Sequence, residues 1–412
     1  MIRTFAIIFL FSSAAFVYAD VNAQSEFIRG ADISVQTRQE ADGVVYREYG
    51  IADDVLNIFK NHDLNWIRIR IFNSPSGSEY GVCQNLDYVT TLGARVKAAG
   101  FKFLLDFHYS DTWADPSHQT KPAAWSSLSQ SQLVTAIHDY TRDVISHLRD
   151  NNAMPDMVQI GNEINCGMLW PNGNCCNGNW TNLVQLINSA RAGVNDGRGS
   201  EPMPKIMIHV ADIKSGGGTS TTQWFFDNLI AYGAQFDVIG QSFYPEWHGT
   251  LDDLTTNLNF MAGRYSQEIV IAEAGDYYTG STGKTPESQK VYLDGLIQRI
   301  QAVPGGKGIG VFYWEPTWVW NSGVGYRTLF QPISGNWRNV NMLMGTEAFE
   351  KIYGDIAGNG IVDFEDLHDF FDLWLEDDCA ETAGLDLDGD CIITFHEFAA
   401  LAQNWLEREQ VQ

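Results

Sequence analysis

Two short stretches of the chain end apolar runs on a carboxylate. The first reads VQIGNEI from Val158, placing Glu163 just past a strand-like run and a glycine. The second reads IVIAEAG from Ile269, placing Glu273 at the end of another apolar run about 110 residues later. Burying an unpaired charge is costly, so each carboxylate needs a reason to be there. Two carboxyl groups brought together across a cleft suit glycoside hydrolysis, where one acts as proton donor and the other attacks the sugar or activates water. A separation of roughly 5–5.5 Å gives covalent attack and retention of configuration. On this reading Glu163 is the acid/base and Glu273 the nucleophile. Asn162, beside the acid, is placed to hydrogen-bond a sugar 2-hydroxyl, a bond that strengthens in the transition state. Taken alone, an Asn-Glu pair is more often a salt-bridged strand end, and it is the second glutamate that favours chemistry.

These residues need a frame that carries them to one place. Eight apolar, β-rich runs follow one another: IRGADIS from Ile28, NWIRIRI from Asn65, FKFLLDF from Phe101, DMVQIG from Asp156, KIMIHV from Lys205, FDVIGQS from Phe236, EIVIA from Glu268 and GIGVFYW from Gly308. Between them lie helix-period segments such as Leu133, Ile137, Tyr140, Val144 and Leu148, spaced three or four apart. Eight strand–helix units predict an α/β fold, a (β/α)8 barrel, with functional residues at the carboxyl ends of the strands. Polar and aromatic residues stand at or near those ends: Arg68 and Arg70, Asp106 and His108, Asn162 and Glu163, His209, Tyr244, Glu273, Trp314 and Glu315. Arg68 and Tyr244 are the expected partners that keep Glu273 ionised, while less favourable charge surroundings keep Glu163 protonated. His108 and His209 either orient catalytic groups or touch substrate. Asp111, Trp113, Trp247 and Trp314 are candidate sugar contacts, the tryptophans as flat apolar platforms.

Of the 412 residues, 13% are aromatic, and the net charge is −25. That charge is uneven. From Tyr353 onward there are sixteen acids and one base, Arg408, a net of −15. Acid gathered at one end argues against nucleic-acid binding and points to a cation as the partner of the tail. Residues 1–23 combine Arg3, an apolar run and small-residue exits after Ala19 or Ala23. This predicts a cleaved export signal, a secreted protein (extracellular or periplasmic) and no membrane association after its removal. Export permits disulfides among the six cysteines, with Cys379–Cys391 the favoured pair. The segment CGMLWPNGNCCNGNW after Glu163 reads either as a disulfide-tied loop or as part of a sugar subsite.

The barrel resembles glycoside hydrolase family 53, the endo-β-1,4-galactanases. Blocks across residues 30–344 carry the likeness: GAD at Gly30, IRIRIF at Ile67, DFHYSDTWADPSHQTKPAAW from Asp106, VQIGNEI, SFYPEWHGT from Ser242 and GVFYWEP from Gly310. The long block from Asp106 and the Tyr244-Pro245-Glu246-Trp247-His248-Gly249 run are the specific ones. The resemblance implies a retaining double displacement on β-1,4-galactan of pectin side chains, with no cofactor for catalysis. Ala274-Gly275-Asp276 after Glu273 departs from the Glu-Thr usual in the family, and no acidic metal loop follows before Pro286. Two other readings stay open at this point: a related barrel hydrolase acting on another polymer such as mannan, and a catalytically silent carbohydrate-binding protein.

The chain beyond about residue 353 repeats itself at an offset of 31 residues, and both units end on Trp-Leu. This segment, residues 353–412 after a barrel domain at 27–350, resembles a type I dockerin, a small α-helical module with paired EF-hand-like calcium loops. Such 12-residue loops supply oxygens from positions 1, 3, 5, 7, 9 and 12. The first loop then offers Asp355, Asn359, the Ile361 carbonyl, Asp363 and Asp366, with Ala357 costing one ligand. The second offers Asp386, Asp388, Asp390, the Ile392 carbonyl, Thr394 and Glu397, with Cys391 where a turn glycine is expected. The resemblance implies structural Ca2+ and two roles for the module: docking to a cohesin-type protein, in a complex or at a cell surface, or a structural appendage.

Overall fold

The computed structural model describes residues 26–211, 219–280, 283–319 and 326–350, and beyond these 354–356, 362–375, 382, 385–386, 391–403 and 405. Eight parallel strands close into a barrel: Ile28–Asp32, Trp66–Ile71, Lys102–Phe107, Met157–Ile160, Lys205–Ala211, Val238–Phe243, Glu268–Ala274 and Gly308–Trp314. They are called strands one to eight below. Each pairs with its neighbours in sequence, and strand eight closes on strand one. The fold is the (β/α)8 barrel expected from the sequence. Among the described residues, no helix is long and apolar enough to cross a membrane.

Strands covered on both sides are apolar on their outer face and filled by layers of side chains inside. Strand two shows how one sequence serves both. In WIRIRI the isoleucines Ile67, Ile69 and Ile71 pack outward under the helices, while Trp66, Arg68 and Arg70 point the other way, all six being buried. Trp66 joins Ile28, Leu104, Met157, Met207, Val238, Val270 and Phe312 in an apolar plug inside the barrel. Nearer the carboxyl ends the inward positions turn polar: Asp32, Arg68, Asp106, Gln159, His209 and Ser242, one from each of the first six strands and each fully or almost fully buried.

Two local features aim the glutamates. Between strands six and seven the register skips a residue, so Gln241 lies opposite Ile271 but Ser242 opposite Glu273. Such a bulge re-aims a side chain. Ala272 belongs to the interior plug, so strict alternation would turn Glu273 outward. After strand four the chain turns sharply through Gly161 (φ +84°) and Glu163 (φ +46°). A side chain at Gly161 would meet Ile164 at 2.6 Å, which explains the glycine. His209, expected at the end of strand five, lies inside it.

The long helices Gln130–Asp150 and Trp180–Gly197 pack side by side on the outer wall. A small sheet, Val45–Glu48 with Ile51–Ala52, Phe330–Ile333 and Asn336–Met342, joins the first and last units. There His62 bridges Glu48 at 2.8 Å and Glu350 at 2.6 Å. The segment after Glu163 is tied by a Cys166–Cys176 disulfide, with Cys175 buried and free. Trp170 bonds back to the Cys166 carbonyl, and Trp180 packs on Trp224 and Phe225 at the barrel's outside, so the disulfide-tied loop is the reading the structure supports.

In the tail, the helices Phe364–Asp372 and Phe395–Gln403 share a small core of Val362, Phe370, Leu385, Ile393 and Leu401. The Asp363 N–H donates to Asp366 and the Thr394 N–H to Glu397, both at 2.8 Å, the same contact in each repeat. The Cys391 N–H donates to Asp386, and Cys391 adopts φ +66°, the left-handed turn expected of a glycine there. Cys391 is disulfide-bonded. Cys379, Asn359, Ile361, Asp388, Asp390 and residues 1–23 lie outside the described residues.

Candidate active site

Arg68 is the hub of the barrel mouth. Its guanidinium donates to Asp32 at 2.6 Å, Asp106 at 2.8 Å, Asn162 at 2.9 Å and the Gln159 carbonyl at 3.1 Å, and lies 2.9 Å from Glu273 Oε1. Burial would weaken its charge, but three surrounding carboxylates raise its pKa above the ordinary value. Strands one, two, three, four and seven are thereby cross-linked around one cation. Asp106 also faces His108 Nε2 at 3.1 Å, and His108 Nδ1 accepts the Ala114 N–H at 3.0 Å. The proton of His108 therefore sits on Nε2, toward Asp106. Burial lowers the pKa of His108, although Asp106 pulls it up. Burial pushes Asp106 up, but Arg68 and His108 outweigh it, and its pKa falls below the usual value.

The two glutamates have different partners. Glu273 receives Arg68 on one oxygen and the Tyr244 hydroxyl, at 3.1 Å, on the other. Among the described residues, Glu163 receives only the Ser242 hydroxyl, at 2.6 Å. Burial raises both. Glu163 is pushed up to about 8, by burial first and then by the nearby charge of Glu273. Glu273 is carried to about 7 by burial, with Arg68 pulling down and Asp32 and Asp106 pushing up. Because Arg68 is shared with Asp32 and Asp106, its pull on Glu273 is divided. The ordering follows from the contacts: the residue with a cation and a phenol is the stronger acid.

An open cleft of ≈ 320 Å³ covers this layer. Of the residues expected at the site, Arg68, His108, Trp113, Asn162, Glu163, Tyr244, Trp247, Glu273 and Trp314 line it. Trp113 lies over the Arg70 guanidinium at 4.5 Å and donates to Glu79. Trp247 is 58% exposed, leaving a ring for a ligand, and packs edge-on to Tyr244. Asn162 spends its amide on the Ala114 carbonyl at 2.8 Å and its oxygen on Arg68. Two expected residues are not in the lining. Asp111 holds loops together, accepting the Ser74 and Ala123 N–H groups at 2.9 and 2.8 Å. His209 is fully buried behind Glu163.

Arg70, one of the strand-end polar residues, also lines the cleft, and so do Ala114, Asp115 and Arg327, which were not among the expected site residues. Arg70 pairs with the buried Glu315 of strand eight's end, and its place in the WIRIRI alternation was a usable signal. Arg327 sits 4.1 Å from the Tyr277 ring centre and 5.1 Å from that of Trp247, and pairs with Glu246. It enters from beyond strand eight, where no strand-end pattern points to it. After strand seven, Asp276 is held by Lys284 at 2.6 Å.

A parallel eight-stranded barrel with this paired-carboxylate cleft at its carboxyl end is the frame of a barrel glycoside hydrolase. Residues 28–351 match the family model described as Glycosyl hydrolase family 53, and the chain belongs to that family. An uncharacterised protein of Niallia circulans is 39% identical over 349 residues, covering 77% of this chain and 90% of that protein. An arabinogalactan endo-β-1,4-galactanase of Thermothelomyces thermophilus is 36% identical over 316 residues, covering 72% and 91%. Among solved structures, the family 53 catalytic domain of Ignisphaera aggregans superposes with a TM-score of 0.70 at 35% identity, covering 79% of this chain and 95% of that one.

Proposed function

We propose that this glycoside hydrolase is a retaining endo-β-1,4-galactanase, with Glu273 as nucleophile and Glu163 as acid/base. The observation that carries the assignment of roles is the unequal environment of the two carboxyls. Arg68 and Tyr244 favour the ionised form of Glu273, while Glu163, with one neutral partner, holds the higher pKa. In the first step the Glu273 carboxylate attacks the anomeric carbon as Glu163 gives its proton to the departing glycosidic oxygen. In the second, Glu163 takes a proton from water, whose oxygen displaces Glu273 from the sugar. No cofactor enters these steps. The positive charge developing on the sugar ring is faced by the Glu273 carboxylate, and the exposed face of Trp247 with Trp113 and Trp314 offers platforms for neighbouring units.

The substrate reading rests on the galactanases that resemble this chain over most of its barrel. Hydrolysis of a panel of purified polysaccharides tests it. Linear β-1,4-galactan is expected to be cut internally to short oligosaccharides, and mannan and cellulose left intact. Release from mannan with none from galactan would replace the substrate. Affinity for galactan without new reducing ends would make the chain a binding protein.

The N-terminal segment supports export, and the galactan side chains of pectin are then the extracellular target. The tail is read as a dockerin-like module that takes structural calcium. Its residues fit that ion: Asp386 and Glu397 converge on backbone N–H groups of one loop, and Glu397 Oε1 is buried with no hydrogen-bond partner. An oxygen-only donor set of this kind suits a hard cation. A cohesin-type partner would follow from the same resemblance.

A further inference from the structure

We infer that His209 and Ser242 fix which oxygen of Glu163 carries the transferable proton, and so act as positioning residues for the acid/base. This rests on the role proposed above for Glu163. Ser242 Oγ lies 2.6 Å from Glu163 Oε1 and 2.9 Å from His209 Nε2. The direction of this chain is set at its far end. Gln159 accepts the Arg68 Nε–H through its carbonyl at 3.1 Å, so its amide nitrogen is a donor, and that nitrogen lies 3.0 Å from His209 Nδ1. The backbone N–H of Glu163 approaches the same Nδ1 at 3.4 Å. Asn162 Oδ1 is also 3.0 Å from Nδ1, but Arg68 at 2.9 Å and the Gln159 amide at 3.1 Å already donate to it. The two hydrogens of the Gln159 amide face three acceptors, Nδ1, Asn162 Oδ1 and the Gly161 carbonyl at 3.1 Å, and the Glu163 N–H is also directed at Nδ1; this arrangement favours Nδ1 as the lone-pair nitrogen and places the imidazole hydrogen on Nε2.

From there each bond dictates the next. Nε2–H donates to Ser242 Oγ, whose own hydrogen has one remaining partner, Glu163 Oε1. That oxygen is an acceptor whether or not Glu163 is protonated, so the acid proton is confined to Oε2. One imidazole in this way grips the backbone of Glu163 directly and its side chain through Ser242. The device needs a histidine that stays neutral. His209 is fully buried, which pushes its pKa well below normal, and Arg68, His108 and His248 add to that while Asp106 opposes it. On the Glu163 side the facing charges are Glu273, Arg68 and Asp115.

The test is Ser242→Ala, with Ser242→Thr to restore the hydroxyl, and nitrogen-15 NMR of histidine-labelled unmodified protein. His209 is expected as the neutral Nε2–H tautomer from about pH 5 to about pH 9. Ser242→Ala is expected to lower kcat roughly tenfold to a hundredfold with KM little changed, because a hydrogen bond to a charged group is lost. It removes a bond that favours the Glu163 carboxylate, so the alkaline limb of kcat/KM should move up by about one unit while the acid limb stays. Ser242→Thr should bring the limb back. An Nδ1–H tautomer, or an unmoved alkaline limb in folded Ser242→Ala, overturns the inference. If Ser242→Ala does not fold, the tautomer in the unmodified protein decides. Undiminished activity of Glu163→Gln would instead sink the acid/base assignment, leaving the tautomer as a separate measurement.

Discussion

Asymmetry between two equal side chains is the central residue-scale feature. Glu273 is buried and Glu163 half-buried, yet Arg68 and Tyr244 serve only Glu273. On the roles proposed for them, hydrolysis needs one proton on the pair, held by Glu163. The rate should therefore follow a bell: it falls at low pH as Glu273 is protonated, and at high pH as Glu163 is ionised. The limbs belong to the pair as a whole and should bracket a narrow optimum between about 7 and about 8. Glu163→Gln and Glu273→Gln should each cut turnover by several orders of magnitude with the fold intact by circular dichroism. Proton NMR of early products should show the β-anomer first; early α-anomer would mean inversion. The glutamates, Tyr244 and Asn162 were legible because each closes or flanks an apolar run, and Arg68 because it interrupts one in the WIRIRI alternation. Asp111 stands outside the cleft lining and caps two backbone segments, and a polar residue in a strand-end loop looks alike in sequence whichever role it has. Ser242 and Gln159 were passed over because a lone neutral polar residue in an apolar run carries no signal until its partners on other strands are known.

At the scale of elements, all eight strands could be read from apolar runs, which polar residues interrupt mainly at inward positions near the carboxyl ends. What alternation could not give is the extra residue in strand seven. Counting inward positions from Val270 through Ala272 turns Glu273 outward, and only the register shift against strand six brings it beside Ser242. The bulge depends on the fit between neighbouring strands, which no single segment encodes. The glycines of the barrel wall are a second such case. A methyl at Gly30 would lie 2.2 Å from the ring of Phe312, which is itself wedged against Trp66 inside the plug. Gly30→Ala should therefore destabilise the barrel by about 1–3 kcal/mol, the usual range for overpacking. Denaturant unfolding measures this, and pairing it with Phe312→Leu, which removes ring volume, should recover part of the loss. Additive losses in the double variant would mean that the two side chains do not meet.

At the scale of the whole molecule, the barrel and the tail are stabilised by different means. The barrel has a large apolar core and a cross-linked polar layer, and His62 fastens Glu350, near its end, to Glu48. The tail has a core of five buried residues and carries sixteen acids against one arginine. So small a core supplies little stability by itself. Gathering Asp386 and Glu397 toward one loop sets like charges together, and a divalent cation would offset that repulsion while supplying folding free energy to the segment. A chain ending at Glu350 should thus keep its hydrolytic activity, because among the described residues none that lines the cleft lies beyond Arg327. In the full chain, chelator should make the tail protease-sensitive and leave hydrolysis unchanged. Calorimetry with calcium chloride on the full chain, compared with the chain ending at Glu350, isolates the tail's share. Binding heat should appear only when the tail is present, and Glu397→Gln should weaken it, since Glu397 would supply the twelfth-position ligand. Equal heats from both chains would put the calcium in the barrel, and no heat from either would leave the tail a metal-free pair of helices.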